Sequence, residues 1–264
     1  MSPGARGLAL PAFLGRQALA LLTQIGGLAL LARDLGRAAR PESGGLDRVE
    51  LLRHLYRMGV RSVPVVAATA AFTGGIMVLQ AAPFVEQFGA KDFVGFFATF
   101  VTFRELGPLL IGLIFNGRVG ANNTAELATM VVTEQVDGLR ALAIDPVSYL
   151  VLPRVVAMTL TMVALVVLGD AVALLGALGV AHVLLDVTFA QFLDSALSRL
   201  ESWDLLVGLL KALLFGVGIA LASCFYGLRV RGGAPGVGRA VNASVVASAA
   251  GIFITDYLST FLLP

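Results

Sequence analysis

Residues that do chemistry are scarce in this chain. Of its 264 residues, one is cysteine, two are histidine and only 14% are charged. The lone Cys224 cannot form an intrachain disulfide, and within its apolar run it reads as a small buried hydrophobe. Two histidines and one cysteine supply neither a metal-ligand set nor a nucleophile–base pair, which argues against a membrane enzyme acting on lipids. The phosphate-binding pattern G-x-x-x-x-G-K-[ST] is absent. Residues 232–238 are glycine-rich but carry no lysine, and they read as a flexible connection. ATP hydrolysis is therefore not expected in this chain, and neither is a metal or cofactor. The net charge of +2 comes almost wholly from arginines placed beside apolar segments without aromatic interleaving. That pattern fits membrane topology and gives no support to nucleic-acid binding. A standard signal peptide is also missing. Arg6 precedes an apolar stretch, but Arg16, Gln17, Thr23 and Gln24 interrupt it, and no clear small-x-small cleavage site precedes Arg33. The segment is expected to be retained.

What the chain has instead is hydrocarbon. Hydrophobic residues make up 58% and the mean hydropathy is +0.88. A soluble domain would carry about 25% charged residues. The bilayer is the expected solvent, and the expected fold is an all-α membrane protein built as one domain over residues 1–264. Five apolar stretches reach the roughly 20 residues a crossing needs. They lie at about 63–84, 93–115, 155–183, 205–228 and 240–263. Nine arginines precede Val63. Arg118, Arg140 and Arg154 follow the second stretch, and Arg229, Arg231 and Arg239 follow the fourth. The opposite connections are acidic or mixed. The positive-inside rule then puts the N-terminus in the cytoplasm and the C-terminus outside. Residues 1–62 are expected to form interfacial elbow helices ahead of the five-span bundle at 63–264. Residues 46–63 read as a basic amphipathic helix, with Leu46, Val49, Leu52, Leu55 and Tyr56 on one face and Arg48, Arg53, Arg57 and Arg61 mostly off it. Residues 8–32, broken by Gly26-Gly27, read either as a sixth span or as an interfacial helix. Their short uninterrupted apolar length favours the interface.

A charge at bilayer depth costs roughly 2.5–3.5 kcal/mol on insertion scales, so each one calls for a reason. Arg104 and Glu105 are adjacent in the second span, which points them about 100° apart on a helix. Pro108 follows and is expected to bend the helix and free backbone carbonyls. Lys211 and Asp256 lie in the fourth and fifth spans, toward the outer side. The group reads equally as a polar patch on a substrate pathway and as interhelical ion pairs that fix packing. Asp170 stands alone in the third span and reads as structural, as does His182 near that span's outer end. Ala243, Ala247 and Gly251 form a small-residue seam suited to helix packing. Between the second and third spans the chain turns polar. Residues 124–142 read as a short amphipathic helix on the cytosolic face, ended by Asp145-Pro146.

The run RELGPLL, GRVGA, AELATM and VTEQVDGLRALAIDPVSYLVLPR over residues 104–154 resembles the signature of MlaE/YrbE permeases. These are membrane subunits of bacterial ABC transporters that move lipids with MCE-domain proteins. A second block, YGLRVRGGAPGVGRAVNASV at 226–245, resembles the stretch before that family's last helix. The resemblance implies a phospholipid-like substrate, a cytosolic ABC ATPase, an MCE-domain partner and a second permease copy. A STAS-domain protein is a further candidate partner. It also implies a bacterial inner-membrane location with the C-terminus in the periplasm. By motif, Glu126, Thr133, Glu134, Gln135 and Asp137 would contact the ATPase. Arg104 and Glu105 match the charged pair by the lipid pathway, and Lys211 and Asp256 fall where its other membrane charges are expected. Two departures stand out. Val131 occupies a position that is often basic, and Asn122-Asn123-Thr124 replaces a stretch usually rich in alanine. A rival reading is a proton-coupled secondary transporter using Glu105, Asp170 or Asp256, but the chain lacks inverted repeats.

Overall fold

The computed structural model describes residues 4–39 and 48–263, and helix is the only regular structure among them. The helices are α1 (Gly4–Ala38), α2 (Arg48–Met58), α3 (Val63–Phe88), α4 (Val94–Val101), α5 (Gly107–Phe115), α6 (Ala121–Val132), α7 (Gln135–Ala141), α8 (Leu152–Leu185), α9 (Phe189–Arg199), α10 (Ser202–Leu228) and α11 (Gly233–Leu262). Among the described residues, five continuous helical segments are long and apolar enough to cross a bilayer: Arg48–Phe88, Lys91–Val132, Val147–Leu185, Ser202–Leu228 and Gly233–Leu262. These contain the five stretches expected from hydropathy.

The spans are longer and less regular than the apolar runs alone imply. From α4 to α6 the chain is one helical rod interrupted by two π-helical turns, Thr102–Leu106 and Asn116–Gly120, and a third such turn, Val147–Val151, leads into α8. A π turn inserts one extra residue per turn and is often found at functional sites. The first carries Arg104 and Glu105. In it Gly107 N–H bonds to the Thr102 carbonyl. The next bond of that series would come from Pro108, which has no N–H, so the Phe103 carbonyl is left without it. That carbonyl sits against Gly208 of α10, where a Cβ would collide with it. The expected bend at Pro108 is thus a change of helical winding within a continuous rod.

The helices pack closely where side chains are small. On α3, a Cβ at Gly74 would fall on the Ala173 carbonyl of α8, and one at Gly176 would fall on the Ala71 carbonyl. These two helices meet backbone to backbone, which small residues permit in lipid. Two apolar cores result. One groups Phe115, Leu127, Met158, Met162, Phe215 and Ile219, and the other groups Val78, Val94, Ala177, Leu185 and Phe192.

Four expectations need adjustment. Gly26-Gly27 does not break the first helix, because α1 runs unbroken from Gly4 to Ala38. Gly27 is buried, and a Cβ there would meet the Phe225 ring and the Arg229 guanidinium of α10, so the glycine marks a docking point. On α2 the apolar residues divide between two faces. His54 and Met58 are buried and Leu51 and Leu55 pack on the first core, while Val49, Leu52 and Tyr56 are 60–65% exposed. Leu46 lies outside the described residues. On α11 the packed positions are Ser244, Ser248, Ile252 and Ser259, one residue on from the seam named above, and Gly251 meets nothing. The glycines at 232–238 are not a loose connection: Gly232 and Gly233 take positive φ to start α11, and the remainder is helix. One helix was unforeseen. The short amphipathic α9 begins with a capping box between Thr188 and Gln191, and Ser195 Oγ donates to the Asp92 carbonyl at 2.6 Å.

Candidate functional site

Polar side chains gather at three places along the bundle. The first lies near the end formed by the start of α10 and the finish of α11. Lys211 is fully buried, and its Nζ donates to Glu105 Oε2 at 2.7 Å and to Thr260 Oγ1 at 2.8 Å. It also lies 3.0 Å from Asp256 Oδ1, close enough for an ion pair but not angled for a hydrogen bond. Thr260 Oγ1 donates to Glu105 Oε1 at 3.1 Å, which ties α11 back to the π turn. Arg104 turns the other way. Its guanidinium reaches Asp204 Oδ1 at 2.9 Å and the Leu263 carbonyl at 2.6 Å, and lies over the Phe100 ring. All four sequence-predicted membrane charges therefore meet at one level, in two separate pairings. Sequence reading missed Asp204 and Thr260. Asp204 directly precedes the apolar stretch at 205–228, where a charge calls for no special reason, and nothing in one sequence distinguishes Thr260 from other hydroxyls. Lys211 is nine residues into α10, about 13 Å from its start at 1.5 Å per residue.

Beside this cluster, α3 and α4 diverge around an apolar cleft of about 600 Å³. Its wall includes Met77, Phe84, Phe88, Phe93, Phe97 and Leu106. Val101 and Leu106, which bracket the π turn holding Arg104 and Glu105, both line it. An apolar slot of this size, with a charge-bearing turn next to two of its wall residues in the chain, suits an amphiphile.

The second gathering lies toward the other end. Arg154, only 8% exposed, donates to Asn123 Oδ1 at 2.9 Å and Glu126 Oε2 at 3.1 Å. Glu126 also pairs with Arg57 of α2 and accepts from Asn122 Nδ2 at 2.8 Å. Asn123 Nδ2 reaches Ser223 Oγ at 2.8 Å, and Thr124 Oγ1 reaches Ser244 Oγ at 2.9 Å. Glu126 thus joins α2, α6 and α8 inside the bundle, whereas the resemblance had put it with the ATPase-contact residues. The departure Asn122-Asn123-Thr124 also gains a reason, since all three side chains bond into this network.

The third gathering is the exposed bend between α6 and α7. The expected single helix over 124–142 is broken here, because Glu134 takes a left-handed φ of 60°. Thr133, Glu134, Gln135 and Asp137 are all exposed. Val136 alone is buried and pins α7 to the first core. Gln135 Nε2 donates to Thr133 Oγ1 at 3.0 Å and Arg140 pairs with Asp137 at 2.8 Å, so the bend is ordered by its own side chains. Beyond it, Asp145 accepts from the Val147 and Ser148 amides and the Ser148 hydroxyl. Burial would raise its carboxyl, but these hydrogen bonds outweigh it and hold the carboxyl below the usual value.

Asp170 joins none of these groups. It is buried, with Oδ1 unbonded, against Gly107. His182 Nδ1 lies 3.1 Å from the Val187 carbonyl at the end of α8. No three metal-ligating side chains cluster among the described residues.

Comparison with known proteins adds family context. The profile described as Permease MlaE matches residues 51–262. A probable ABC transporter permease protein of Rickettsia prowazekii is 43% identical over 212 residues, covering 80% of this chain and 82% of the relative. One from Synechocystis sp. is 36% identical over 220 residues, covering 83% and 84%. Protein TRIGALACTOSYLDIACYLGLYCEROL 1, chloroplastic, of Arabidopsis thaliana is 35% identical over 214 residues, covering 80% of this chain and 60% of that protein.

Proposed function

The chain belongs to the MlaE permease family, and from that premise we propose that it moves phospholipid-like lipids between a bacterial inner membrane and a periplasmic MCE-domain protein. As a multi-pass permease subunit it transports and does not catalyse. Its energy comes from a separate cytosolic ATPase. A STAS-domain protein is a further partner.

The observation that carries the lipid reading is the aromatic cleft of about 600 Å³ beside the π turn of Arg104 and Glu105. Acyl chains occupy the cleft, and the headgroup meets the charges at its edge. A lipid phosphate competes with Asp204 for Arg104, since guanidinium pairs well with either anion. Lys211, paired with Asp256, holds Glu105 in place beside it. The Arabidopsis relative that bears the name of a galactolipid supports a lipid cargo.

The exposed bend is the coupling surface. Thr133, Glu134, Gln135 and Asp137 meet the ATPase, with Val136 as the anchor beneath. Glu126 acts behind that surface: through Arg154 and Arg57 it passes the motion to α8 and α2. The arginine excess near this end supports a cytoplasmic N-terminus and a periplasmic C-terminus. The open Ala243, Ala247 and Gly251 seam of α11 supports a second permease copy.

Reconstitution with an ATPase and an MCE-domain protein tests this. Arg104→Ala and Glu105→Ala are expected to reduce ATP-driven lipid transfer while the complex still assembles. Unchanged transfer removes the pair from the pathway. Purification of the native complex without an ATPase subunit overturns the coupling assignment.

A further inference from the structure

At the joint between α2 and α3, three arginines surround a cavity of about 390 Å³. Arg57, Arg61 and Arg118 line it, together with Met58, Ser62, Val119 and Asn122. It is unlike the two charge clusters, because no carboxylate lines it. Arg57 is partly neutralised by Glu126. Arg118 donates to the backbone carbonyl of Arg61, which draws its guanidinium to the joint without cancelling its charge. The Arg61 guanidinium itself makes no hydrogen bond or ion pair among the described residues. Counting Glu126 against the three arginines leaves two positive charges on the cavity.

Exposed hydrocarbon adjoins these arginines along the elbow. Leu52, Tyr56 and Val60 of the elbow are 55–64% exposed, on the stripe one residue before Arg53, Arg57 and Arg61. Along α3, which leads away from the arginines, Val65, Phe72, Ile76 and Leu79 are also exposed. A basic pocket bordered by exposed hydrocarbon at a helix joint is matched by a ligand with an anionic head and apolar tails. A soluble anion would have no use for the adjoining hydrocarbon, and an acidic protein segment would leave it uncovered.

We propose that Arg57, Arg61 and Arg118 form a resident site for the phosphate headgroup of an anionic phospholipid. The site lies at the opposite end of α3 from the Met77–Phe88 cleft, about 22 Å from its nearest wall residue on that helix by helix rise, and so is separate from the transport pathway. Its placement in the cytoplasmic leaflet rests on the topology proposed above. Its occupant holds the elbow helix against α3 and the second π turn.

Native mass spectrometry of the protein released from nanodiscs containing equal phosphatidylglycerol and phosphatidylcholine tests the site. The wild type is expected to retain phosphatidylglycerol preferentially. Arg61→Gln, whose guanidinium has no partner to lose, is expected to weaken that preference several-fold, and Arg61→Gln/Arg118→Gln roughly tenfold or more. Arg61→Lys keeps the charge and is expected to keep most of the preference. Equal retention of the two lipids by the wild type overturns the proposal, and so does an unchanged preference in the double variant. Thermal stabilisation by inorganic phosphate equal to that by phosphatidylglycerol would make this a small-anion site and also overturn it. Release of the lipid when the ATPase binds would mark a protein-docking face and overturn it as well. Preference without any ATP-driven transfer would support the site while sinking the transport reading, and transfer without preference would do the reverse.

Discussion

The two buried charge clusters are built from the same kinds of group with opposite balances. Near the C-terminus of α11, Glu105, Asp204 and Asp256 face Arg104 and Lys211, so three carboxylates against two cations leave −1. At the other end, Arg57 and Arg154 face Glu126, so two cations against one carboxylate leave +1. Their surroundings differ too. The first sits on a π turn beside an open cleft, and Glu105 is 30% exposed. The second is sealed on its Arg154 side, with Asn123 fully buried between Arg154 and Ser223, while Arg57 at its outer edge is 42% exposed. A charged group with an exposed edge can exchange a protein partner for a ligand. A sealed one can only transmit force or hold shape. On the proposed function, substrate handling falls to the first cluster and mechanical linkage to the sealed side of the second.

The sharpest break of that comparison is Lys211→Met. It leaves Glu105 and Asp256 facing each other without their cation, and breaking a buried pair from one side costs about 3–5 kcal/mol. The expected outcome is a large fall in unfolding free energy, measured by denaturant titration in nanodiscs. Adding Glu105→Gln and Asp256→Asn should recover most of it, because the residual charge is then gone. If the triple variant is no more stable than Lys211→Met, the cost lies in packing and not in charge. Arg154→Met should cost less, about 1–3 kcal/mol, because Glu126 keeps Arg57 and Asn122 as partners. A loss equal to that of Lys211→Met would mean the sealed cluster is no better buffered than the open one.

How far the sequence revealed these sites follows from the range of each interaction. The spans were legible because hydropathy adds up over some 20 residues. Arg104, Glu105, Lys211 and Asp256 were legible singly, since each is a charge in hydrocarbon. Their pairing was not, because Lys211 and Glu105 lie 106 residues apart and only packing of α10 on the π turn joins them. The π turns themselves leave no periodic signature, and Pro108 reads as a bend for that reason. Glu126 illustrates the reverse problem. Its motif gave no sign that Arg57 and Arg154 reach it from two other helices, while 23% of its side chain stays exposed.

A smaller effect separates stability from function within the first cluster. Thr260→Val removes a neutral hydroxyl that bonds both Lys211 and Glu105, with an expected loss of about 1 kcal/mol. If Glu105 takes part in lipid handling, transfer should fall further than that modest destabilisation explains. Transfer that tracks the stability loss alone would make the threonine a packing residue.

The smallest stability effect belongs to the exposed bend, where the expected functional effect is large. The Arg140–Asp137 pair is 65% and 67% exposed, and surface pairs contribute well under about 1 kcal/mol. Asp137→Ala should therefore leave thermal unfolding within about 0.5 kcal/mol of the wild type. Glu134→Gly should be similarly mild, because glycine takes the left-handed φ of 60° without strain while losing more entropy on folding. If the bend couples this chain to an ATPase, both variants keep their fold and bind lipid normally in the cleft, yet lipid transfer per ATP hydrolysed falls. A hydrolysis rate measured alongside transfer distinguishes lost docking, which lowers both, from lost coupling, which lowers transfer alone. Full transfer by the double variant would leave the bend an ordinary solvated turn, and the sealed cluster behind it would then lack the input that gives its linkage a purpose.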